Sequence, residues 1–280
     1  MFRKLRRFLR RKLLSILADD TGNLEPRMST SLSDNQVYPQ ACLDAVNDYK
    51  AFNEFRSNKQ YQRILEHTTM EEAQKALEEI PKDPDIMSRM DRFRENDEWG
   101  GAQPVEFPGI GAITTSTLRY VKVLADLKRS FGNLDGLDIC EIGVGYGGQC
   151  RIINAMYKPA TYRLVDIQPA LALAQRYLGN YVLHSTLSFL TMNELAGRNY
   201  DLAISNYAFT ELPRALQDIY LERVILNAPR GYMNYNEITP ESYHSYKAEE
   251  LVELIPDARI SSRGEFQNPE SCLIIWGADR

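Results

Sequence analysis

The sequence is short of the residues from which metal centres and disulfide frameworks are built. It has three histidines and four cysteines in 280 residues, and no two cysteines have the C-x-x-C spacing of a zinc or redox motif. Cys140 and Cys272 lie in apolar runs, which is typical of small core residues in a reducing compartment. No group of His, Asp and Glu residues has metal-ligand spacing, so the sequence neither indicates nor excludes a metal.

Long apolar runs are missing from the N-terminal segment. Residues 2–17 read FRKLRRFLRRKLLSIL, with Phe2, Leu5, Leu9 and Leu13 at helical spacing, which predicts a basic amphipathic helix. Its apolar run is too short to span a bilayer, and it lacks the continuous apolar centre of a signal peptide. We expect the protein to be cytoplasmic, and three placements of this segment stay open. It could lie on the anionic inner face of the membrane, pack on its own protein, or form a disordered tail.

The remainder of the chain is acidic. Seven of the first twelve residues are Lys or Arg, and residues 13–280 retain 26 basic and 38 acidic residues, a formal charge of −12. Nucleic-acid binding needs a basic face, because most of the affinity comes from neutralising phosphates. We therefore expect no nucleic-acid partner for this part of the chain.

Sequence patterns divide the chain into four parts. Residues 1–17 are the basic helix, and residues 18–40 are a linker rich in Ser, Asp, Asn and Pro. Residues 41–112 are a helical accessory region followed by a loop, and residues 113–280 are the main domain. The main domain is expected to contain the active site.

Two features within the accessory region are specific enough to predict local structure. Thr69 and Glu72 have the spacing of a capping box and predict that a helix begins at about residue 70. Residues 96–112 are rich in glycine and proline and predict an irregular loop. Trp99 and Phe107 in this loop favour an ordered lid or binding loop.

Strands and helices alternate from Leu137 to the end of the chain, which predicts a parallel sheet with right-handed crossovers. No helix separates the last two strands, so they should pair antiparallel. We predict an α/β fold, Rossmann-like, with a seven-stranded, mainly parallel sheet whose last strand is antiparallel. The predicted strands are 137–142, 161–166, 181–184, 200–205, 231–236, 258–262 and 271–276.

A glycine-rich turn follows the first of these strands and opens a helix. It contains Glu141, Gly143, Gly145 and the pair Gly147-Gly148. Glycines allow positive φ and let a ligand approach the backbone closely. Asp166 ends the next predicted strand, where an acid can accept hydrogen bonds from both ribose hydroxyls. The pattern predicts a nucleoside-binding site.

The glycine spacing also satisfies G-x-G-x-x-G, the dinucleotide fingerprint. Three features favour S-adenosylmethionine instead. Glu141 suits a cationic methionine group better than a pyrophosphate, and the bulky Tyr146 would crowd a diphosphate. The antiparallel final strand pair is typical of class I methyltransferases, whereas a dehydrogenase domain normally ends in a sixth parallel strand. Besides S-adenosylmethionine and a dinucleotide, a third interpretation is that the glycine turn binds no ligand.

Several runs in this sequence resemble the sugar O-methyltransferase family. The resemblance covers roughly residues 41–276 and leaves out the basic helix. It implies a class I methyltransferase fold, S-adenosylmethionine as the methyl donor, and a glycan or nucleotide-sugar hydroxyl as the acceptor, for instance in polysaccharide biosynthesis. The runs that carry it are FRSNKQYQRILEH (55–67), TLRYVKVLADL (117–127), EIGVGYGGQCRII (141–153), YRLVDIQPALALAQRYL (162–178) and SNYAFTEL (205–212).

Donor binding is predicted for residues at the ends of the first four strands, where ligands collect in open α/β sheets. The predicted donor-binding residues are Glu141, Gly143, Gly145, Tyr146, Gly147, Asp166, Ile167, Ser185, Asn206 and Tyr207.

A sugar hydroxyl is a weak nucleophile, so transfer should need a general base beyond the fourth strand. Glu211 is the first candidate; its alternative role is that of an acid favoured by a helix N-terminus. His244, in a Tyr-rich loop, is the second candidate, and its alternative is an exposed loop histidine.

Acceptor binding is predicted for Arg119 and Tyr120, which precede the main domain, and for Tyr232 and Asn236 near the end of the fifth strand. Arg119 could instead bind the donor carboxylate, and Tyr120 could simply pack on the sheet edge. Alternate strand side chains point to opposite faces, so only some residues of the fifth strand can face the site.

Three other functions remain open at this point. The acceptor could be a small metabolite other than a sugar. The chain could be an NAD(P)-dependent Rossmann oxidoreductase. It could also be a membrane-associated adaptor with a vestigial fold, although the intact Glu141, glycine turn and Asp166 argue against decay.

Overall fold

The computed structural model describes residues 37–62, 64–66, 68–263 and 271–278. The predicted basic helix, residues 1–17, lies outside the described residues, as does most of the predicted linker. Residues 37–40, which we assigned to the linker, belong to the first described helix. In the described part of the chain, no helix is long and apolar enough to cross a membrane.

Short helices form the accessory region. The predicted capping box is present, because the Thr69 side chain accepts the backbone N–H of Glu72 and the Glu72 carboxylate accepts that of Thr69. The expected irregular loop contains two short antiparallel strands instead. The elements are α1 (Val37–Asn47), α2 (Tyr49–Glu54), α3 (Lys59–Gln62), α4 (Met70–Glu79), α5 (Pro84–Met87), α6 (Met90–Arg94), β1 (Val105–Phe107) and β2 (Gly111–Ile113).

Helices and strands alternate through the main domain, as predicted. Apolar side chains of the strands alternate between two faces: Ile139 belongs to the core under α7, and Cys140 belongs to the core on the opposite face. The elements are α7 (Thr115–Phe131), β3 (Asp138–Ile142), α8 (Gly148–Met156), β4 (Thr161–Val165), α9 (Gln168–Leu178), β5 (Thr186–Leu190), β6 (Leu202–Asn206), α10 (Arg214–Arg223), β7 (Arg230–Tyr235), α11 (Ala248–Leu254), β8 (Arg259–Arg263) and β9 (Cys272–Trp276).

The strand order distinguishes the two Rossmann-like folds that the sequence left open. The described strands of this sheet follow the order β5-β4-β3-β6-β7-β9-β8. Strands β3 to β7 are parallel, and β9 is inserted antiparallel between β7 and β8. A dinucleotide-binding sheet instead continues with a sixth parallel strand at that edge. The chain has the class I methyltransferase fold.

The third strand of the main domain was predicted at the wrong place. We expected it at residues 181–184, whereas β5 covers Thr186–Leu190 and pairs parallel with β4. The apolar run of residues 181–183 belongs to the turn after α9, and Val182 is 96% exposed there. Residues 191–193, and not 184–185, therefore lie at the carboxyl end of this strand.

Helices α1 to α3 and the residues that follow, 37–62 and 64–66, form what we call the helical cap. Helix α1 lies against α9, where Arg176 Nη1 donates to the carbonyls of Ala45 and Val46 at 2.7 Å each. The buried Arg56 fixes the cap to the main domain: its guanidinium bonds to the Asp97 carboxylate at 2.9 Å and to Thr114 Oγ1 at 3.0 Å. The cap is thus anchored on two sides.

Candidate active site

The carboxyl ends of β3 and β4 bring the glycine turn and Asp166 together, as the sequence analysis predicted. The backbone N–H groups of Val144 and Gly145 donate to Asp166 Oδ2 at 2.8 and 3.1 Å. The N–H of Ile167 donates to Asp166 Oδ1 at 2.7 Å. The carboxylate is therefore held in one orientation directly beside the turn.

The Asp166 carboxyl titrates above its ordinary range. Burial raises its pKa to about 6, and the three backbone N–H donors limit that rise because they stabilise the ionised form. The side chain is partly buried. A carboxylate oxygen can accept more than one hydrogen bond, so both oxygens retain capacity for a ligand.

Gly143 makes the closest backbone approach in the turn. Its φ is +77°, and a Cβ added there would lie 1.9 Å from Cβ of Ala208, in the segment after β6. The glycine turn and the residues that follow β6 are therefore in contact. This contact places Glu211, three residues after Ala208, at the same end of the sheet.

We expect Gly143→Ala to destabilise the fold by about 2–5 kcal/mol, the sum of a positive-φ cost and a steric clash. Gly136→Ala is the matched control, because φ of Gly136 is +74° and nothing lies within 4 Å of an added Cβ. The control should lower the free energy of unfolding only by the amount that positive φ costs a residue with a side chain. Urea unfolding followed by circular dichroism measures both, and equal losses would contradict the close approach.

The helical cap lies over the turn. A Cβ added to Gly145 would be 2.7 Å from Leu65 Cδ1. Leu65 belongs to the cap, so this side chain rests on the backbone that also bonds to Asp166. The accessory region is therefore part of the site's surroundings and not a separate appendage.

Glu141 lies under the turn, at the end of β3. Its Oε2 accepts a hydrogen bond from the Tyr162 hydroxyl at 2.6 Å, and the side chain is buried. Burial raises the pKa of Glu141 to about 8; the Tyr162 hydroxyl lowers it, and the charge of Asp166 raises it. Glu141 is thus mainly protonated at neutral pH when no positive charge is nearby.

The end of β6 has a strained backbone. Tyr207 has φ +73° and ψ −36°, which is a sparsely populated region for a residue with a side chain. Asn206 Oδ1 accepts from Asn234 Nδ2 at 3.0 Å, while Asn206 Nδ2 is buried with no hydrogen-bond partner in the described structure. Strain and an unsatisfied donor at one strand end are typical of a ligand site.

Glu211 and Asn236, which we selected separately from the sequence, are in direct contact. Asn236 Nδ2 donates to Glu211 Oε1 at 3.0 Å, and Asn236 Oδ1 lies 2.8 Å from the Thr210 hydroxyl. Burial raises the pKa of Glu211; the Asn236 hydrogen bond and the charge of Arg119 partly oppose this. The carboxyl is positioned and its proton affinity is increased, as a general base requires.

Arg119 reaches the same place from α7. Its charge acts on Tyr207 and on Glu211, and its guanidinium carbon is 5.4 Å from the centre of the Tyr120 ring. Arg119 Nε is buried and has no hydrogen-bond partner among the residues described. This unsatisfied donor suits an anionic or carbonyl group of a ligand.

Two predicted site residues lie elsewhere. Ser185 precedes β5 at the amino end of the sheet, where its hydroxyl donates to Asn154 Oδ1 at 2.8 Å. The prediction that Ser185 binds the methyl donor was therefore wrong. Tyr232 points into the core under α7, where its hydroxyl donates to Asp126 Oδ2 at 2.9 Å. Its acceptor-binding prediction was wrong because the strand turns that side chain away from the site.

Two further tyrosines are used for packing. The Tyr146 side chain is fully buried among Phe55, Tyr120 and Tyr177, with ring centres 4.8–6.1 Å apart. The buried side chain leaves only the backbone of Tyr146 at the turn, and its role as a donor-binding residue stays a prediction. Tyr120 is buried in the same cluster, which corresponds to the packing alternative and not to acceptor binding.

His244 is exposed in the loop after β7, with φ +50°. Its backbone carbonyl accepts a hydrogen bond from Arg214. The described contacts do not bring its imidazole to Glu211 or Asn236, so the second candidate base stays an exposed loop histidine. Glu211 is the better placed of the two candidates.

Sequence reasoning missed the residues that the cap and β5 contribute. Thr191 and Met192 follow β5 at the carboxyl edge of the sheet, where we had expected Ser185. Leu65 of the cap adjoins the turn, and its N–H donates to the carbonyl of Tyr61. The aromatic residues in the FRSNKQYQRILEH run were the available signal, but their contacts are long-range. Among the described residues, no group of three or more His, Cys, Asp and Glu could hold a metal ion.

No protein family and no curated protein matches the sequence. Solved structures similar to the chain include the magnesium protoporphyrin IX methyltransferase of Synechocystis PCC 6803 with bound S-adenosylhomocysteine: identity is 17%, coverage 67% of this chain and 93% of that chain, and TM-score 0.44. Phosphoethanolamine N-methyltransferase 2 of Haemonchus contortus with S-adenosyl-L-methionine is 18% identical; the match covers 49% of this chain and 37% of that chain, with a TM-score of 0.39. An rRNA methylase of Streptococcus thermophilus is 15% identical; the match covers 52% of this chain and 90% of that chain, with a TM-score of 0.37. The fold assignment follows from the strand order and not from these proteins.

Proposed function

We propose that this chain is an S-adenosylmethionine-dependent O-methyltransferase that acts on a sugar hydroxyl. The observation that carries the proposal is the carboxylate of Asp166, fixed by two N–H groups of the glycine turn, on a sheet with the class I methyltransferase strand order. The resemblance of the sequence to sugar O-methyltransferases supports the choice of acceptor.

The residues present fit this donor. Asp166 would accept hydrogen bonds from the ribose hydroxyls. Asn206 Nδ2 is a buried N–H group without a hydrogen-bond partner among the described residues, and a carboxylate or carbonyl of S-adenosylmethionine would satisfy it. Glu141 lies beneath the turn, where ionisation of its carboxyl would favour a cationic ligand. The positive φ of Gly143, Gly145 and Gly147 gives the turn the shape in which its N–H groups hold Asp166.

Bound S-adenosylmethionine supplies an electrophilic methyl group, and the chain's residues prepare the acceptor. Glu211 would take the proton of the acceptor hydroxyl, which would leave the hydroxyl oxygen free to accept the methyl group that the donor supplies. Asn236 holds the Glu211 carboxylate in place. Arg119 and Asn236 bind and orient the acceptor, and much of the rate follows from that alignment.

Two measurements test the proposal. Calorimetry with S-adenosylhomocysteine, and with NADH and NADPH as controls, should show binding of the first only. Labelled donor should then transfer its methyl group to nucleotide sugars or glycans. Methylation of small alcohols alone would identify a non-sugar acceptor. Binding of a dinucleotide would favour the oxidoreductase, and no binding at all would favour an adaptor.

We also propose that residues 2–17 hold the protein at an anionic membrane surface, on the strength of the basic amphipathic pattern. The full-length chain should sediment with phosphatidylglycerol vesicles, and not with phosphatidylcholine vesicles. A variant without residues 1–17 should remain in the supernatant while methylating a soluble acceptor normally. Equal sedimentation of both chains would contradict this proposal.

A further inference from the structure

Tyr61 is a fully buried tyrosine of the helical cap. Its ring lies 5.7 Å from that of Tyr38 and 5.0 Å, edge-on, from that of Phe55, measured between ring centres. Its hydroxyl has no hydrogen-bond partner in the described part of the chain. A phenylalanine would fill the same space without burying an unsatisfied polar group, so packing alone does not account for the hydroxyl.

The position of Tyr61 relates it to the glycine turn. The N–H of Leu65 donates to the Tyr61 carbonyl at 3.1 Å, and the Leu65 side chain lies on Gly145. Tyr38, whose ring contacts that of Tyr61, is close enough to Asp166 for the carboxylate charge to contribute, after burial and Cys42, to the raised pKa of the phenol. Tyr61 thus contacts one residue that touches the turn and another that lies within range of the Asp166 charge.

We infer that the Tyr61 hydroxyl is a hydrogen-bonding ligand of the adenosyl donor, so that the cap supplies part of the donor site. The inference rests on the proposed function. An adenosyl donor of the proposed kind carries ribose hydroxyls and an amino-acid group. A phenol can donate to a carboxylate and accept from a hydroxyl or an ammonium, so it suits either group.

The test is Tyr61→Phe, with affinity for S-adenosylhomocysteine measured by calorimetry and thermal unfolding measured without ligand. We expect the Kd to rise about tenfold, which corresponds to one hydrogen bond of roughly 1.4 kcal/mol. The midpoint of unfolding should stay the same or rise, because the variant removes a buried hydroxyl without a partner. Loss of affinity without loss of stability is not expected from a packing defect.

Tyr157→Phe is the matched control. Tyr157 is also buried, and its hydroxyl lies 3.4 Å from the Gly132 carbonyl, away from the cap and the turn. The control should bind S-adenosylhomocysteine as the wild type does. Unchanged affinity of Tyr61→Phe, or a lower midpoint with weaker binding, would overturn the inference. Failure of the wild type to bind would instead overturn the proposed function.

Discussion

Replacing Glu211 by Gln is expected to lower kcat by about 10²–10⁴-fold, the usual contribution of a general base. The amide keeps the size of the side chain and can still accept a hydrogen bond from Asn236, but it cannot take a proton. Affinity for S-adenosylhomocysteine should stay within twofold of the wild type, because Glu211 does not contact the glycine turn. Steady-state kinetics and calorimetry separate the two effects.

The pH dependence gives a second, independent test of the same base. Because burial raises the pKa of Glu211, wild-type kcat should increase as pH rises through that raised value and then level off. Asn236→Ala removes a hydrogen bond that favours the ionised form, so the rising limb should move to higher pH. Glu253→Gln, on the exposed face of α11, is the control and should leave the profile unchanged. A wild-type profile retained by Glu211→Gln would transfer the base role to another residue.

Replacing Asp166 by Ala is expected to weaken donor binding by about 10–100-fold or more, since a hydrogen bond to a charged group contributes about 1.5–3 kcal/mol. The variant loses the acceptor of the ribose hydroxyls. It also leaves the N–H groups of Val144 and Gly145 without their partner. Calorimetry with S-adenosylhomocysteine measures the loss, and unchanged affinity would show that the donor does not lie against this carboxylate.

Asp166 also sets a pH limit on donor binding. Its pKa in the folded protein is raised to about 6, so acidification through pH 6 protonates it. The carboxylate that is proposed to accept hydrogen bonds from the ribose hydroxyls then loses its charge. Wild-type affinity should fall as pH decreases through that value, and Asp166→Asn should remove this dependence. The effect on folding has the opposite sign: a carboxyl with a raised folded pKa stabilises the fold at low pH, and this contribution is lost as pH rises from about 4 to about 6.

Local patterns predicted the part of the site that depends on adjacent residues. The glycine turn and Asp166 follow two buried strands, and parallel pairing necessarily brings the ends of such strands together. The third strand was misplaced because YVLH is as apolar as TLSFL, and only pairing with β4 distinguishes them. Because of this error we expected Ser185 at the carboxyl ends of the parallel strands, whereas it lies at their amino ends.

The remaining errors concern which way a side chain points and which distant segment covers it. Tyr232 and Asn236 both seemed to end β7, but Tyr232 lies within the strand and faces α7, and Asn236 follows the strand. Tyr61 could not be found from its own surroundings in the sequence, because the turn that the neighbouring Leu65 touches is some eighty residues away. Neither property follows from composition or periodicity.

The anchoring of the helical cap bears on the timing of turnover. Leu65 of the cap rests on the backbone that holds Asp166. The buried Arg56 bonds to Glu66 within the cap and to Asp97 and Thr114 outside it. A nucleoside that passed Leu65 on its way to Asp166 would require this segment to withdraw, and withdrawal would break contacts of a buried guanidinium. For the proposed methyltransferase, exchange of spent for fresh donor would then have its own activation barrier, and the residence time of the demethylated product would set an upper bound on the catalytic rate.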